Sequence, residues 1–312
     1  MLEARLLARI EEKKTRLDAL RPLPLAAVAR LNEQLTVEWI YNSNAIEGNT
    51  LTLQETRLIL ETGLTVGGKS LREHFEVTNH REAIRYVEGL VDGTEPVSAF
   101  QVRQIHRLVM AGIDDEGAGS YRILPVRIAG SAHTPPEAWQ VGQLMEGWQT
   151  WLMGEAGSLH PVERAAQAHH RLVAIHPFLD GNGRTARLVM NLLLMREGFP
   201  PTIILRANRR QYYRVLARAD GGNLAPLVNF VGRAVERSLT LYLEACTPQT
   251  RPTPPEDEWI PLAQAAQGTL YSQAYLSLLA RRGRLEAIKR GRNWHTTRRA
   301  VEAYRRSVEE RS

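Results

Sequence analysis

The 312-residue chain is 43% hydrophobic and 24% charged, which excludes a largely disordered protein and allows two or three domains around a sizeable core. Its longest apolar stretch, Leu188–Met195 interrupted by Asn191, is too short to span a bilayer, MLEARLLARIEEKK at the start reads as neither leader nor anchor, and the single Cys246 excludes an internal disulfide, so a cytoplasmic location without a membrane partner is expected. The net charge of +6 is uneven: residues 251–312 hold 12 Lys and Arg against 7 Asp and Glu, whereas residues 1–250 hold 28 against 27, so only the C-terminal region has the charge to seek a polyanion, unless its arginines are simply a solvated surface.

Along the chain, Val28, Leu31, Leu35 and Trp39 recur at helical spacing and predict a helix up to Asn42 or Ser43. After the turn at Gly48-Asn49, Thr52 and Glu55 form a capping-box pattern that opens the next helix. Further helices are expected over 75–91, 98–111, 136–153, 160–175, 184–197, 208–219 and 223–246. The segment 184–197 is apolar on most faces beyond its first turn and should be central and buried. Tyr121–His133 breaks the helical period with β-branched residues, Pro125 and Gly130, and reads as a short hairpin or an extended flap. The fold class is mainly α. Thr247–Glu258, with four prolines, is a linker, and the last stretch of about 55 residues forms a separate unit.

The chemistry lies in His176-Pro-Phe-Leu-Asp180-Gly-Asn-Gly-Arg184-Thr-Ala-Arg187, between two helices. Gly181, Asn182 and Gly183 can turn several backbone N–H groups toward one point, and the helix starting near Arg184 aims its positive end there. Arg184 and Arg187 project from one side of its first turns, which completes a nest for two or more phosphates. Asp180 at the edge of the nest can hold a magnesium ion bridging those phosphates, and His176 can accept a proton near neutral pH. The set suits attack by a hydroxyl on a nucleotide phosphate with pyrophosphate leaving. It is neither a Walker loop nor an EF-hand loop. A metal cluster of His169, His170 and His176 is the competing arrangement, but His169 shares a face with Ala165, Leu172 and Val173, as a core histidine would.

As one string these residues match HPFx[DE]GNGRxxR, and from about residue 98 to 240 the chain resembles the Fic family, whose members transfer AMP from ATP to a protein hydroxyl. The resemblance implies a Fic-type helical bundle with a short β-hairpin flap over 98–246, following an N-terminal helical region, 1–97. Gly119-Ser-Tyr-Arg122, Val126, Arg127, Ile128 and Ala129, and His133-Thr-Pro-Pro136 resemble the flap that holds a target peptide against the nucleotide. The resemblance further implies His176 as the base, Asp180 as the metal ligand for Mg2+, and Phe178 as core. Nucleotide contacts are implied along Asp180, Gly181, Asn182, Gly183, Arg184, Thr185, Ala186 and Arg187. Tyr212, Tyr213 and Asp220 resemble the adenosine pocket, although Asp220 stands where some members carry asparagine. Upstream, Ser43-Asn-Ala-Ile-Glu47-Gly48 resembles the family's inhibitory motif [ST]xxxE[GN]: Glu47, one turn from Ser43, would pair with Arg187 in the space a γ-phosphate needs.

In the last unit, Trp259–Gly268 and Tyr271–Ala280 read as helix–turn–helix, Arg284–His295 as a two-stranded wing with Gly291 at its tip, and Thr297–Val308 as a closing helix. This resembles winged modules of excisionase and MerR-like proteins. It implies either DNA contacts through Ser272, Gln273, Tyr275 and the wing arginines, or a module for protein docking or homodimer formation. Two functions are therefore expected to compete. One is a protein adenylyltransferase acting on a Ser, Thr or Tyr hydroxyl of a target or of itself, held down by Glu47 and able to reverse the modification. The other is a nucleotide-sensing, DNA-binding transcription regulator, which has no need of a base at position 176.

Overall fold

A computed structural model describes residues 1–128, 130–247, 258–267, 269 and 271–309; Ala129, Gly268 and most of the expected linker lie outside the described residues. The chain divides into two compact units, Met1–Thr247 and Pro248–Ser312. Among the described residues no helix is long and apolar enough to cross a membrane.

The first unit contains α1 (Ala4–Asp18), α2 (Leu25–Ile46), α3 (Leu53–Thr62), α4 (Leu71–Gly89), α5 (Ala99–Met110), α6 (Val141–Met153), α7 (Pro161–Ile175), α8 (Asn182–Arg196), α9 (Arg209–Asp220) and α10 (Ala225–Cys246). At its centre lies α8, with α2, α4, α5 and α7 packed around it. A helix enclosed on all sides must be apolar all round, and Leu188 to Leu194 are accordingly buried. The one polar residue among them, Asn191, is satisfied: its amide donates to Thr202 O at 3.0 Å and accepts from Thr202 N at 2.6 Å.

Several boundaries differ from the sequence reading. α1 lies within the expected N-terminal helical region, although no helix was placed over these residues; its Leu6, Ile10 and Leu17 form a buried stripe, each such side chain contributing roughly 1.5–3 kcal/mol. α10 opposes it with Gly232, where a Cβ would lie 2.7 Å from Leu2 and 3.1 Å from Leu6. α4 begins at Leu71 rather than 75 because Ser70 and Glu73 form a reciprocal capping box. α2 runs on to Ile46, so Ser43 sits in its last turn and Glu47 caps it. The segment 121–133 forms no strand pair among the described residues, so the expected hairpin is not seen there. Its order comes from Arg122, a buried side chain that donates to the carbonyls of His176 (2.8 Å), Leu124 (3.1 Å) and Pro136 (2.5 Å). A hairpin ladder is thus replaced by one guanidinium.

The second unit contains β1 (Ile260–Pro261), α11 (Leu262–Ala266), α12 (Gln273–Arg281), β2 (Ala287–Arg290), β3 (Asn293–Thr296) and α13 (Arg298–Glu309). Its sheet has the antiparallel order β1-β3-β2, with Ile260 opposite Thr296 and Arg290 opposite Asn293. Gly291, at φ 60°, makes the β2–β3 turn. A separate core forms from Ile260, Leu262, Leu276, Leu279, Leu285 and Val301. α11 is only five residues long, shorter than expected, and β1 is a strand the sequence reading lacked.

Candidate active site

The site is built where α7 ends and α8 begins. His176 caps α7 in the left-handed region, φ 51° and ψ 59°, the one non-glycine residue with positive φ among those described. Its N–H closes the helix on Leu172 O at 3.0 Å, while Nδ1 faces Val173 O at 3.3 Å. That contact assigns the ring proton to Nδ1 and leaves the Nε2 lone pair to accept a proton. Burial lowers the His176 pKa below the ordinary histidine value, the contact to Val173 opposes the shift, and the charge of Arg122 adds to it. The ring is therefore unprotonated at neutral pH.

Asn182 fixes the intervening loop from inside: its Oδ1 accepts from Phe178 N at 2.9 Å and its Nδ2 donates to Phe178 O at 2.8 Å. Phe178 is core and stacks on His106, with ring centres 3.6 Å apart. His106 in turn donates from Nε2 to Asp180 O (2.9 Å) and accepts from Gly119 N at Nδ1 (2.9 Å). Burial pushes its pKa down to about 4, so it stays a neutral strut. Gly181, at φ 74°, starts α8 in a crowded place, where a Cβ would meet Met110 Sδ at 2.9 Å.

The first backbone bond of α8 runs from Thr185 N to Gly181 O at 3.0 Å. The amides of Asn182, Gly183 and Arg184 precede it and have no intrahelical acceptor, which leaves them able to receive an anion. Thr185 and Ala186 are buried, and the Thr185 amide belongs to the helix ladder, while its Oγ1 has no described partner. The Asn182 side chain is spent on the loop.

One anion is already present. The Glu47 carboxylate lies so close over Gly183 that a Cβ there would stand 2.2 Å from its Oε1. Arg187 NH1 donates to that oxygen at 2.7 Å, while Arg187 Nε and NH2 donate to Ser43 Oγ (3.1 Å) and Ser43 O (2.8 Å). Burial works against the charge on Arg187, but Glu47 outweighs it and raises the pKa. The end of α2 is pinned as well: Ile46 O accepts from Arg209 Nε at 2.7 Å and from Tyr213 OH at 3.3 Å.

Arg184 is buried and approaches Asp180 Oδ2 at 3.8 Å. Asp180 also forms an ion pair with Arg72 of α4, a partner sequence reasoning missed. Burial tends to raise the Asp180 pKa, but Arg184, the Gly181 amide and Arg72 together lower it, so the half-exposed carboxylate is ionised.

Of the expected adenosine pocket, Tyr212 needs correction. Tyr212 is 1% exposed and its hydroxyl is bonded to His169 Nε2 at 2.8 Å, which makes it core. Tyr213 serves the end of α2. Asp220 pairs with His170 Nε2 at 2.9 Å. His169 is fully buried and its pKa is pushed down to about 3 by burial, as befits a core residue; among the described residues no group of three or more His, Cys, Asp or Glu could hold a metal. On the flap, Val126 and Ile128 are half-buried and Arg127 is exposed, while Ala129 lies outside the described residues. Of the residues that organise the site, sequence reasoning missed His106, Arg72 and Glu76, and it read Arg122 and Asn49 only as part of the flap and of the turn after Glu47.

Fold and site together define a class: residues 96–194 match the Fic/DOC family, and the chain belongs to it. The structure of Fic-1 (aa134–508) from C. elegans is 35% identical with a TM-score of 0.71, over 77% of this chain and 72% of that one. A Fic family protein from Desulfovibrio desulfuricans G20 is 26% identical with a TM-score of 0.65 and covers 94% of both chains, so that match continues beyond Thr247. Protein adenylyltransferase Fic of Nematostella vectensis is 42% identical over 248 residues, 79% of this chain and 57% of the relative. The chain spans about half the length of the curated relatives it matches.

Proposed function

We propose that this protein transfers AMP from ATP to a Ser, Thr or Tyr hydroxyl of a protein target, itself included, and that Glu47 restrains the transfer. The reading is carried by His176, an unprotonated imidazole with Nε2 unspent, at the C-terminus of α7 beside the unpaired amides that open α8. In the reaction the hydroxyl proton passes to His176 Nε2 and the oxygen attacks the α-phosphorus. The bond from that phosphorus to the bridging oxygen breaks, and pyrophosphate leaves with its negative charge held by the α8 amides, Arg184 and Arg187. Asp180 suits magnesium, which takes one or two carboxylates plus phosphate oxygens; the ion, when bound, neutralises phosphate charge. Glu47, standing over Gly183, keeps a nucleotide out of line, and the same carboxylate can orient a water for the reverse hydrolysis. The test is His176→Ala in a Glu47→Gly background, with labelled AMP incorporation as readout. The rate should fall roughly 10²–10⁴-fold while calorimetric ATP binding stays nearly intact. Equal rates would overturn the mechanism.

The second unit favours a second role, a winged helix–turn–helix that binds duplex DNA. Lys289, Arg290 and Arg292 are exposed around the Gly291 turn, and Gln273 and Tyr275 are exposed on α12. Ser272 is exposed as well, and its Oγ also caps α12 by accepting from Tyr275 N at 3.2 Å. A gel shift with the full chain that survives moderate salt supports a transcription regulator; no shift at low salt leaves a docking or dimerisation module.

A further inference from the structure

Glu76 of α4 takes no part in the reaction as proposed, yet it faces two of the guanidiniums at the site, Arg184 and Arg72. Its side chain is 12% exposed, with Oε1 at 3.4 Å from Arg184 NH1 and 3.5 Å from Arg72 Nε. Its Oε2 accepts from Asn49 Nδ2 at 2.9 Å, and its backbone carbonyl accepts from Asn44 Nδ2 at 3.0 Å. Asn44 and Asn49 flank Glu47, so the segment that brings one carboxylate to Arg187 also fixes a second carboxylate on Arg184.

The two pairs differ in kind. Glu47 and Arg187 are hydrogen-bonded, whereas Arg184 NH1 faces Glu76 without hydrogen-bond geometry. Nε and NH1 of Arg184 donate to no described partner, although the residue is only 2% exposed. A buried guanidinium with unspent donors is a costly arrangement unless a further anion is to arrive. We infer that Glu76 is a positioning residue that acts through Arg184: it holds the guanidinium toward the site and sets, by its charge, how strongly that guanidinium attracts polyphosphate. The inference rests on the reading that Arg184 meets the phosphates of the nucleotide.

Pyrophosphate binding to the full chain, measured by calorimetry without added metal in a Glu47→Gly background, tests it. Glu76→Gln preserves the shape and the contact to Asn49 while removing one negative charge. Pyrophosphate should then bind roughly tenfold more tightly, with AMP changed less than about twofold, and Glu76→Asp should return the parent affinity. Adding Glu76→Gln to Arg184→Gln should leave pyrophosphate affinity where Arg184→Gln alone puts it. This neutral pair also serves if Glu76→Gln alone does not fold, since removing both partners of a buried ion pair is tolerated better than removing one. Unchanged, weaker or undetectable pyrophosphate binding in Glu76→Gln overturns the inference, as does equal tightening without Arg184. Absence of AMP transfer with these affinities intact would remove the proposed reaction and leave the inference standing.

Discussion

Replacing Glu47 by glycine should make the protein faster and less stable at once. Arg187 keeps two of its three hydrogen bonds, both to Ser43, so the guanidinium stays in place with NH1 freed toward the anion site. Breaking a fully buried ion pair costs about 3–5 kcal/mol, but the Glu47 side chain is 33% exposed and Arg187 3%, so solvent reduces the loss to about 1–3 kcal/mol. For a unit of this size each kcal/mol shifts Tm by roughly 2–4 °C, which predicts a fall of about 2–12 °C in a thermal melt without nucleotide. On the chemical side, a misplacement of about 1 Å costs ~10²-fold, and removing the carboxylate over Gly183 takes away the obstacle. Initial rates of labelled AMP incorporation should therefore rise about 10–100-fold, with a smaller change in ATP affinity, and any hydrolysis of the modified target should be lost. A variant that transfers AMP no faster than the parent refutes the reasoning, whatever its Tm, and reduces Glu47 to a helix-cap residue.

Other expectations follow from particular contacts. In the Glu47→Gly background, where no carboxylate opposes the new Cβ, Gly183→Ala should keep Tm, since alanine is the better helix former by roughly 1 kcal/mol, yet weaken ATP binding at least about tenfold, because the Cβ points where Glu47 Oε1 lies in the parent; undiminished affinity would move the phosphates elsewhere. Stability should fall as pH drops from 6.5 toward 5. His80, His106 and His169 are buried with pKa values lowered by burial, the last two to about 4 and about 3, so the unfolded chain takes up protons that the native one refuses. At pH 5.5 His106 and His169 together cost about 3 kcal/mol, His80 acts in the same direction, and a Tm flat over this range would contradict their burial. Arg122→Lys should lose the fork that serves three carbonyls, costing about 2–3 kcal/mol, and speed hydrogen exchange over 121–136; unchanged exchange would mean the flap is ordered by something else.

What was legible in the sequence follows the range of the interactions. His176 to Arg187 could be read because the base, the turn glycines and the helix start are neighbours along the chain. The same locality should have revealed the Ser70–Glu73 capping box and the Leu6, Ile10, Leu17 stripe, which were in the sequence and were overlooked. Arg122 reaches His176 across 54 positions and His106 reaches Asp180 across 74; no spacing rule connects such pairs. Tyr212 shows the opposite error, because resemblance suggested a ligand contact where the chain had put the residue against His169 and Phe230 in the core.

The pinning of α2 bears on how Glu47 would be relieved. Apart from those of Arg187, five hydrogen bonds tie the segment around it: Arg209 and Tyr213 to Ile46 O, Asn44 to Glu76 O, and Asn49 to Glu73 O and Glu76 Oε2. At about 0.5–1.5 kcal/mol each, freeing the backbone costs several kcal/mol before any contact of Glu47 itself is broken. Rotating the side chain costs only its bond to Arg187 and its place at the α8 amides, and both can be taken over by an arriving phosphate. The cheaper route is thus a rotamer change on a fixed helix end, which exposed side chains complete within nanoseconds. If Glu47 restrains the transfer as proposed, inhibition of this kind would be set by competition between two anions for one site, and its depth would depend on how well Glu47 imitates a phosphate and on how much charge Glu76 leaves on Arg184.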